Sequence, residues 1–242
     1  FRVPNDDAHP VFLAVDFAIT LNEAGRFEPK LIELQGFPSL YAFQMVLAQT
    51  YQRCFGLERL RFLLNGMNET DYLRRFKQAV TAGHDPENVI LMEIEPEKQK
   101  TAPDFYCTER FIGVKPVCIT TIKKRGRKLY YAHSGAEIPI HRIYNRGIVY
   151  EFIKKCIQCE FDFRDDLDVE WAGHPNWYFR MSKFSLPYLN HPTVPKATFV
   201  HQLERYPEAL HNYVLKPLFS FAGSGVIIDP TPADLDAIPG RE

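Results

Sequence analysis

Two apolar runs, Val11–Ile19 and Lys30–Phe37, flank a polar loop that carries Gly25, and this spacing predicts a β-hairpin. Side chains alternate faces along a strand, so Asp16 is expected beside Phe12, Ala14 and Ala18, and Glu33 and Gln35 beside Leu31. Apolar residues then recur at helical intervals: Leu40, Phe43, Leu47 and Tyr51 mark one face of a helix over 39–55, and 69–82 reads as a second. Next come a strand at Val89–Ile94, a helix at Ala102–Gly113, a strand at Pro116–Ile122, a hairpin reaching Tyr131 and a strand at Ile138–Tyr144. Such alternation predicts an open α/β sheet. Its first strand ends in ILMEIEP, which sets Glu93 and Glu95 where such sheets place ligands, although a plain strand end is the commoner meaning. Pro187–Pro195 reads as an extended connection. The last patterned stretch, Tyr213–Ile228 (YVLKPLFSFAGSGVII), reads as two β runs around the small-residue loop Ser220 to Gly225.

That last hairpin is suited to fold over a polyphosphate. Gly223 and Gly225 let backbone N–H groups approach anionic oxygens, Ser220 and Ser224 add hydroxyl donors, and Lys216 supplies a point charge. No Gly-Lys-Ser/Thr ends the loop and a strand follows it, so it is not a Walker A loop. An ordinary tight turn is the competing interpretation. In the first hairpin, Asp16, Glu33 and Gln35 form an oxygen-only set suited to Mg²⁺, against the alternative of a merely solvated face.

Together the two hairpins resemble the circularly permuted branch of the ATP-grasp superfamily, which includes glutathionylspermidine-synthetase-like carboxylate–amine ligases. The acidic hairpin precedes the lysine-bearing strand by about the length of a domain, which is the permuted order. IELQGFPSLYAFQ resembles that branch's acidic-residue–x–Asn stretch with its Pro-Ser turn and helix. IPIHRIYNRG resembles its aromatic-x-Arg strand end, with Arg146 in the matching place, and MSKFSLPYLNHPTVPKATF resembles the lysine-bearing lead-in to the nucleotide lobe.

The resemblance implies an α/β (α+β) fold with an open-sheet pre-ATP-grasp domain and an incomplete nucleotide lobe. Four segments are expected: the acidic hairpin over 1–40, helices over 41–88, the α/β domain over 89–180 and the start of the nucleotide lobe over 181–242. The implied activity joins a carboxylate to an amine through an acyl phosphate, with ATP and Mg²⁺ as cofactors. Asp16, Glu33 and Gln35 would hold the metal. Lys216 and Lys183 (with Lys196 in reserve) would meet the phosphates under Ser220, Gly223, Ser224 and Gly225, while Arg146 would face the carboxylate substrate or an outer phosphate. Gln35 stands where the branch has Asn, and no adenine hinge follows DPTPADLDAIPGRE, so the chain is expected to be a piece of a longer protein. The alternative is a non-catalytic nucleotide-binding or scaffold protein of the same fold.

Composition narrows this little. The 242 residues carry a net charge of −1 with 45% apolar and 24% charged side chains, as expected of a globular enzyme. Neither nucleic acid nor a membrane is an expected partner, the substrates are expected to be small molecules, and the expected compartment is the cytoplasm. Oligomeric state cannot be read. The basic run KKRGRK lies between apolar stretches and reads as a solvated hairpin tip. Five cysteines at irregular spacing argue against a disulfide scaffold, and Cys156 and Cys159 read as small buried thiols on a helix. The eight histidines form no close ligand motif.

Overall fold

The computed structural model describes residues 2–220 and 223–239, a mixed α/β fold. In chain order the elements are β1 (Ala14–Leu21), β2 (Phe27–Gln35), α1 (Phe43–Phe55), α2 (Glu69–Thr81), β3 (Val89–Glu93), α3 (Ala102–Ile112) and β4 (Lys115–Cys118). They continue with β5 (Lys123–Arg125), β6 (Lys128–His133), β7 (Ala136–Ile140), β8 (Arg142–Asn145), α4 (Val149–Lys154) and β9 (Glu170–Ala172). The last are α5 (Trp177–Arg180), β10 (Val214–Leu215), β11 (Ile227–Ile228) and α6 (Pro232–Asp236).

Contacts divide the chain into two units rather than the four segments read along the sequence. Unit 1 comprises Phe1–Phe12 and Phe37–Asn176; unit 2 comprises Leu13–Gly36 and Trp177–Glu242. The helices over 41–88 therefore join the α/β section, and the acidic hairpin joins the C-terminal lobe.

Unit 1 is built on a parallel sheet of order β4-β3-β8-β9. Val89, Ile90, Leu91 and Met92 are fully buried, because β3 is covered on both faces. Val89 and Leu91 belong to a core with α2, α3 and Tyr144, and Ile90 and Met92 to a second core with α4 and Trp171. The strand expected over 138–144 breaks at His141: β7 pairs antiparallel with β6, whereas β8 enters the parallel sheet. Likewise Pro116–Ile122 is a strand only through Cys118 before a 3₁₀ turn. Helix α1 begins at Phe43, and Leu47 and Tyr51, expected on its packed face, are exposed; Ala42 and Met45 are buried instead. Cys156 lies past the end of α4, exposed, and Cys159 Sγ contacts the Phe161 carbonyl, so neither thiol sits on a helix. Lys123, Lys124, Arg125 and Arg127 of the basic run each meet a carboxylate: Glu160, Asp165, Glu137 and Asp168 respectively.

In unit 2 the predicted first hairpin is present, with Gly25 in its turn. Its register skips Ile32, because Asp16 pairs with Glu33 and Phe17 with Leu31. This bulge corrects the expected alternation: Leu31 lies across from Phe17 rather than on the Asp16 side. Phe12, expected on the Asp16 face, precedes β1 and packs in unit 1. The Leu31 N–H donates to the Thr193 carbonyl and the Gly36 N–H to Met181, tying β2 to the lead-in segment. That segment is a 3₁₀ turn over Lys183–Tyr188, capped by Ser182, in place of the expected lysine-bearing helix.

Candidate functional site

Asp16 and Glu33 are direct cross-strand partners, and partners opposite one another share a face of the sheet. Glu33 is largely buried and both its oxygens are engaged: Oε2 accepts from Lys183 Nζ at 2.8 Å and Oε1 from the Gln35 amide nitrogen. The amide of Gln35 thus turns its nitrogen, not its oxygen, toward that carboxylate. Asp16 is exposed, and its side chain makes no hydrogen bond or ion pair among the described residues. Desolvation, and then repulsion from Glu33, raise its carboxyl above the ordinary value, against the attraction of Lys183.

Two lysines converge on this pair. Lys183 is buried and, besides Glu33, donates to the Ser220 carbonyl at 2.7 Å. Lys216 donates to the carbonyl of Ile32, the bulged residue, at 2.7 Å. Burial pushes the Lys216 ammonium below its usual value; Glu33 opposes that and Lys183 adds to it. Lys216 follows β10 rather than standing inside a strand, since β10 and β11 pair over only two residues each. The structure therefore brings Asp16, Glu33, Gln35, Lys183 and Lys216 together within unit 2.

The small-residue loop is described in part; Phe221 and Ala222 lie outside the described residues. The Ser220 hydroxyl is buried without a hydrogen-bond partner among the described residues. Gly223, Ser224 and Gly225 form an exposed turn. Gly225 has φ +70, and a Cβ there would come within 2.8 Å of Pro217 Cγ, so only glycine fits.

Arg146 is placed otherwise. It is 5% exposed in unit 1 and its Nη1 donates to Asp104 Oδ2 at 2.7 Å. Asp104, fully buried, accepts through Oδ1 from the backbone N–H groups of Ala42 and Phe43, at the start of α1. The sequence reading missed Asp104. Its signal was present, since it falls on the same helical stripe as Thr108 and Ile112, both buried, where a charge needs a partner. Lys196 is exposed beside a groove of unit 2 that Arg205 and Tyr213 also line.

The donor set suits a hard divalent ion, because two adjacent carboxylates repel and a cation would relieve that repulsion. Among the described residues, no three His, Cys, Asp or Glu side chains gather as a complete metal cage, so further oxygens would have to come from a ligand or water. No described helix is long and apolar enough to cross a membrane. The chain matches no family model, and no curated protein is found to be similar to it.

Proposed function

We propose that the chain carries the metal- and phosphate-binding part of an ATP-dependent ligase that joins a carboxylate to an amine, with a permuted ATP-grasp-like organisation. The observation that supports this most is the convergence of Asp16 and Glu33, paired across one hairpin, with Lys183 and Lys216 from a segment more than 140 residues away. Two acids and two cations, one of them bonded to the Ser220 carbonyl at the start of the small-residue loop, provide what a metal-bound triphosphate requires: oxygens for the ion and donors for phosphate.

In this reading Asp16 and Glu33, with Gln35 after its amide turns over, hold Mg²⁺. The ion would neutralise phosphate charge as the γ-phosphoryl group moves to the substrate carboxylate. Lys216 binds phosphate through an ammonium that burial has already partly desolvated. Lys183 orients Glu33 and fixes the start of the loop at Ser220. The glycines of the loop bring backbone N–H groups to the phosphates, and the loop excludes water from the acyl phosphate. Arg146 has no part in this step, because its charge is committed to Asp104.

The test is calorimetric titration of ATP with and without Mg²⁺ into the chain and its Asp16→Ala and Lys216→Met variants. Mg²⁺-dependent binding weakened by both changes supports the reading. Binding that neither change affects overturns it, and binding without turnover against pools of amines and carboxylates would favour the nucleotide-binding scaffold.

A further inference from the structure

The hairpin of unit 2 has two unlike faces, and only one of them serves the proposed function. Cross-strand partners share a face, so Asp16, Ala18 and Thr20 of β1 stand with Glu33, Lys30 and Glu28 of β2. The other face carries Val15, Phe17, Ile19 and Leu21 of β1 with Phe27, Pro29 and Leu31 of β2. None of these seven side chains is charged or forms hydrogen bonds.

An antiparallel sheet with one face in water normally turns its apolar face inward and its polar face out. Here the order is reversed. Ala18, Thr20, Glu28, Lys30 and Glu33 are half-buried, and Lys30 Nζ donates to the Pro192 carbonyl at 3.1 Å. On the apolar face Leu31 is covered, but exposure rises toward the turn, from 41% at Val15 to 67% at Ile19 and 78% at Phe27. These exposures correspond to on the order of 600 Å² of uninterrupted apolar surface, the upper end of what a monomer leaves open, and patches of that size mark interaction sites.

We propose that this face is the contact between two copies of the chain, packed hairpin on hairpin about a two-fold axis. Area and charge select the occupant. Burying the face on both copies removes on the order of 1,200 Å² from water, the lower limit for a specific complex, so a second copy is partner enough. A two-fold contact sets a patch against itself, which any charge on the patch would oppose; this patch has none. Two sheets pack face to face about 10 Å apart with their strands about 30° from parallel, and an apolar two-stranded ribbon presents the side chains for such a layer. Asp16 and Glu33 project from the opposite face, so pairing leaves the acidic pair uncovered. The inference goes beyond the ligase reading and needs neither nucleotide nor metal, so the two fail separately.

The experiment is sedimentation equilibrium of the full chain, free of nucleotide and metal, across about two decades of concentration centred near 10 µM. A reversible monomer–dimer equilibrium is expected, with Kd of roughly 1–100 µM, as suits an interface at the small end of the range. Ile19→Lys sets a charge from each copy against the apolar face of the other and should weaken association by about tenfold or more. Phe27→Lys, at the most exposed position of the face, should do the same, and circular dichroism checks that each variant keeps the fold. Leu60→Lys, which alters a comparably exposed apolar side chain in unit 1, should leave the equilibrium unchanged. In methyl carbon-13 spectra the Ile19 signals should shift with concentration while those of Ile153, exposed in unit 1, stay in place. A chain that is monomeric throughout overturns the proposal. So does a dimer that the folded face variants leave intact or to which the Ile19 methyls do not respond, because its contact lies elsewhere. Open-ended growth into larger species overturns it too, since the face is then merely adhesive.

Discussion

Arg146–Asp104 in unit 1 and Lys183–Glu33 in unit 2 are both buried cation–carboxylate pairs, yet they are wired in opposite ways. Asp104 has every contact turned inward: one oxygen on Arg146, the other on two backbone N–H groups that open α1. That pair fastens α1, α3 and the end of β8 together. Glu33 is held by a lysine and a glutamine amide, both side chains able to swing away, and opposite it stands the Asp16 carboxylate, unpartnered among the described residues. A charge pair closed on backbone is a fastener, whereas one closed on flexible side chains beside a repelling neighbour can exchange its partners for a ligand.

Breaking the first pair is the severest test. Arg146→Met leaves Asp104 buried and uncompensated, and should lower unfolding free energy by about 3–5 kcal/mol. Lys183→Met should cost only about 1–2 kcal/mol, because Glu33 retains Gln35 and can reach solvent. The chain has two tryptophans, Trp171 in unit 1 and Trp177 in unit 2, so single Trp→Phe variants let fluorescence-monitored urea unfolding report each unit separately. Equal losses from the two substitutions would erase the distinction.

Next in size is the pH response of Glu93. Its folded-state carboxyl holds a proton up to about 7, while in the unfolded chain it releases it near the ordinary value of 4.5. Stability therefore falls as pH rises between those values and levels off above them. Glu93→Gln should stabilise unit 1 by up to about 3 kcal/mol at pH 8 and by nothing at pH 4, measured by the Trp171 signal.

In unit 2 the corresponding change is in affinity. Lys216→Met keeps the apolar stem and removes a charge that burial has already made costly, so stability should change by less than about 1 kcal/mol. Triphosphate binding should weaken by roughly ten- to a hundredfold, as expected for a charge-assisted contact worth about 1.5–3 kcal/mol. Isothermal titration with ATP reads this directly.

The smallest effect belongs to the acidic loop facing the basic hairpin. The Arg164 guanidinium, bonded to Asp162, holds that carboxyl down to about 2; Lys124 lowers Asp165 and Lys123 lowers Glu160. Their contribution is present above the ordinary carboxylate range and disappears as pH drops from about 4 toward 2. Thermal melting at those pH values should show a modest loss, from which Arg164→Ala removes the Asp162 share and leaves the rest. These pairs are surface-exposed and screened, so a large loss would contradict the account.

What could be read from the sequence followed from local pattern. The β3 run of buried residues, the Gly25 hairpin, and the helix starting at Ala102 are each set by neighbours a few positions apart. The face pairing of Asp16 with Glu33 was legible for the same reason, although the Ile32 bulge was not, because an extra residue leaves no mark in an apolar run. The break at His141 escaped notice, since one continuous β pattern serves two different sheets. Leu47 and Tyr51 kept perfect helical spacing while facing outward, so periodicity located the helix without orienting it. Lys183, the cation on Glu33, and Arg146, Ala42 and Phe43, the partners of Asp104, lie far away in sequence, and no local pattern encodes such pairings.

The interleaving of the units has a consequence for synthesis. Strands β1 and β2 emerge early, but the segments that complete their unit begin only at Trp177, about 140 residues later. At roughly 5–20 residues per second the hairpin waits on the order of ten to thirty seconds for its partners. Its side chains Val15, Phe17, Ile19, Leu21 and Phe27 are exposed even in the finished fold, so during that interval they offer a sticky apolar face to other chains. Slower translation across residues 37–176 would lengthen that exposure, and yield on expression should then depend on chaperone supply more than on the stability of either unit.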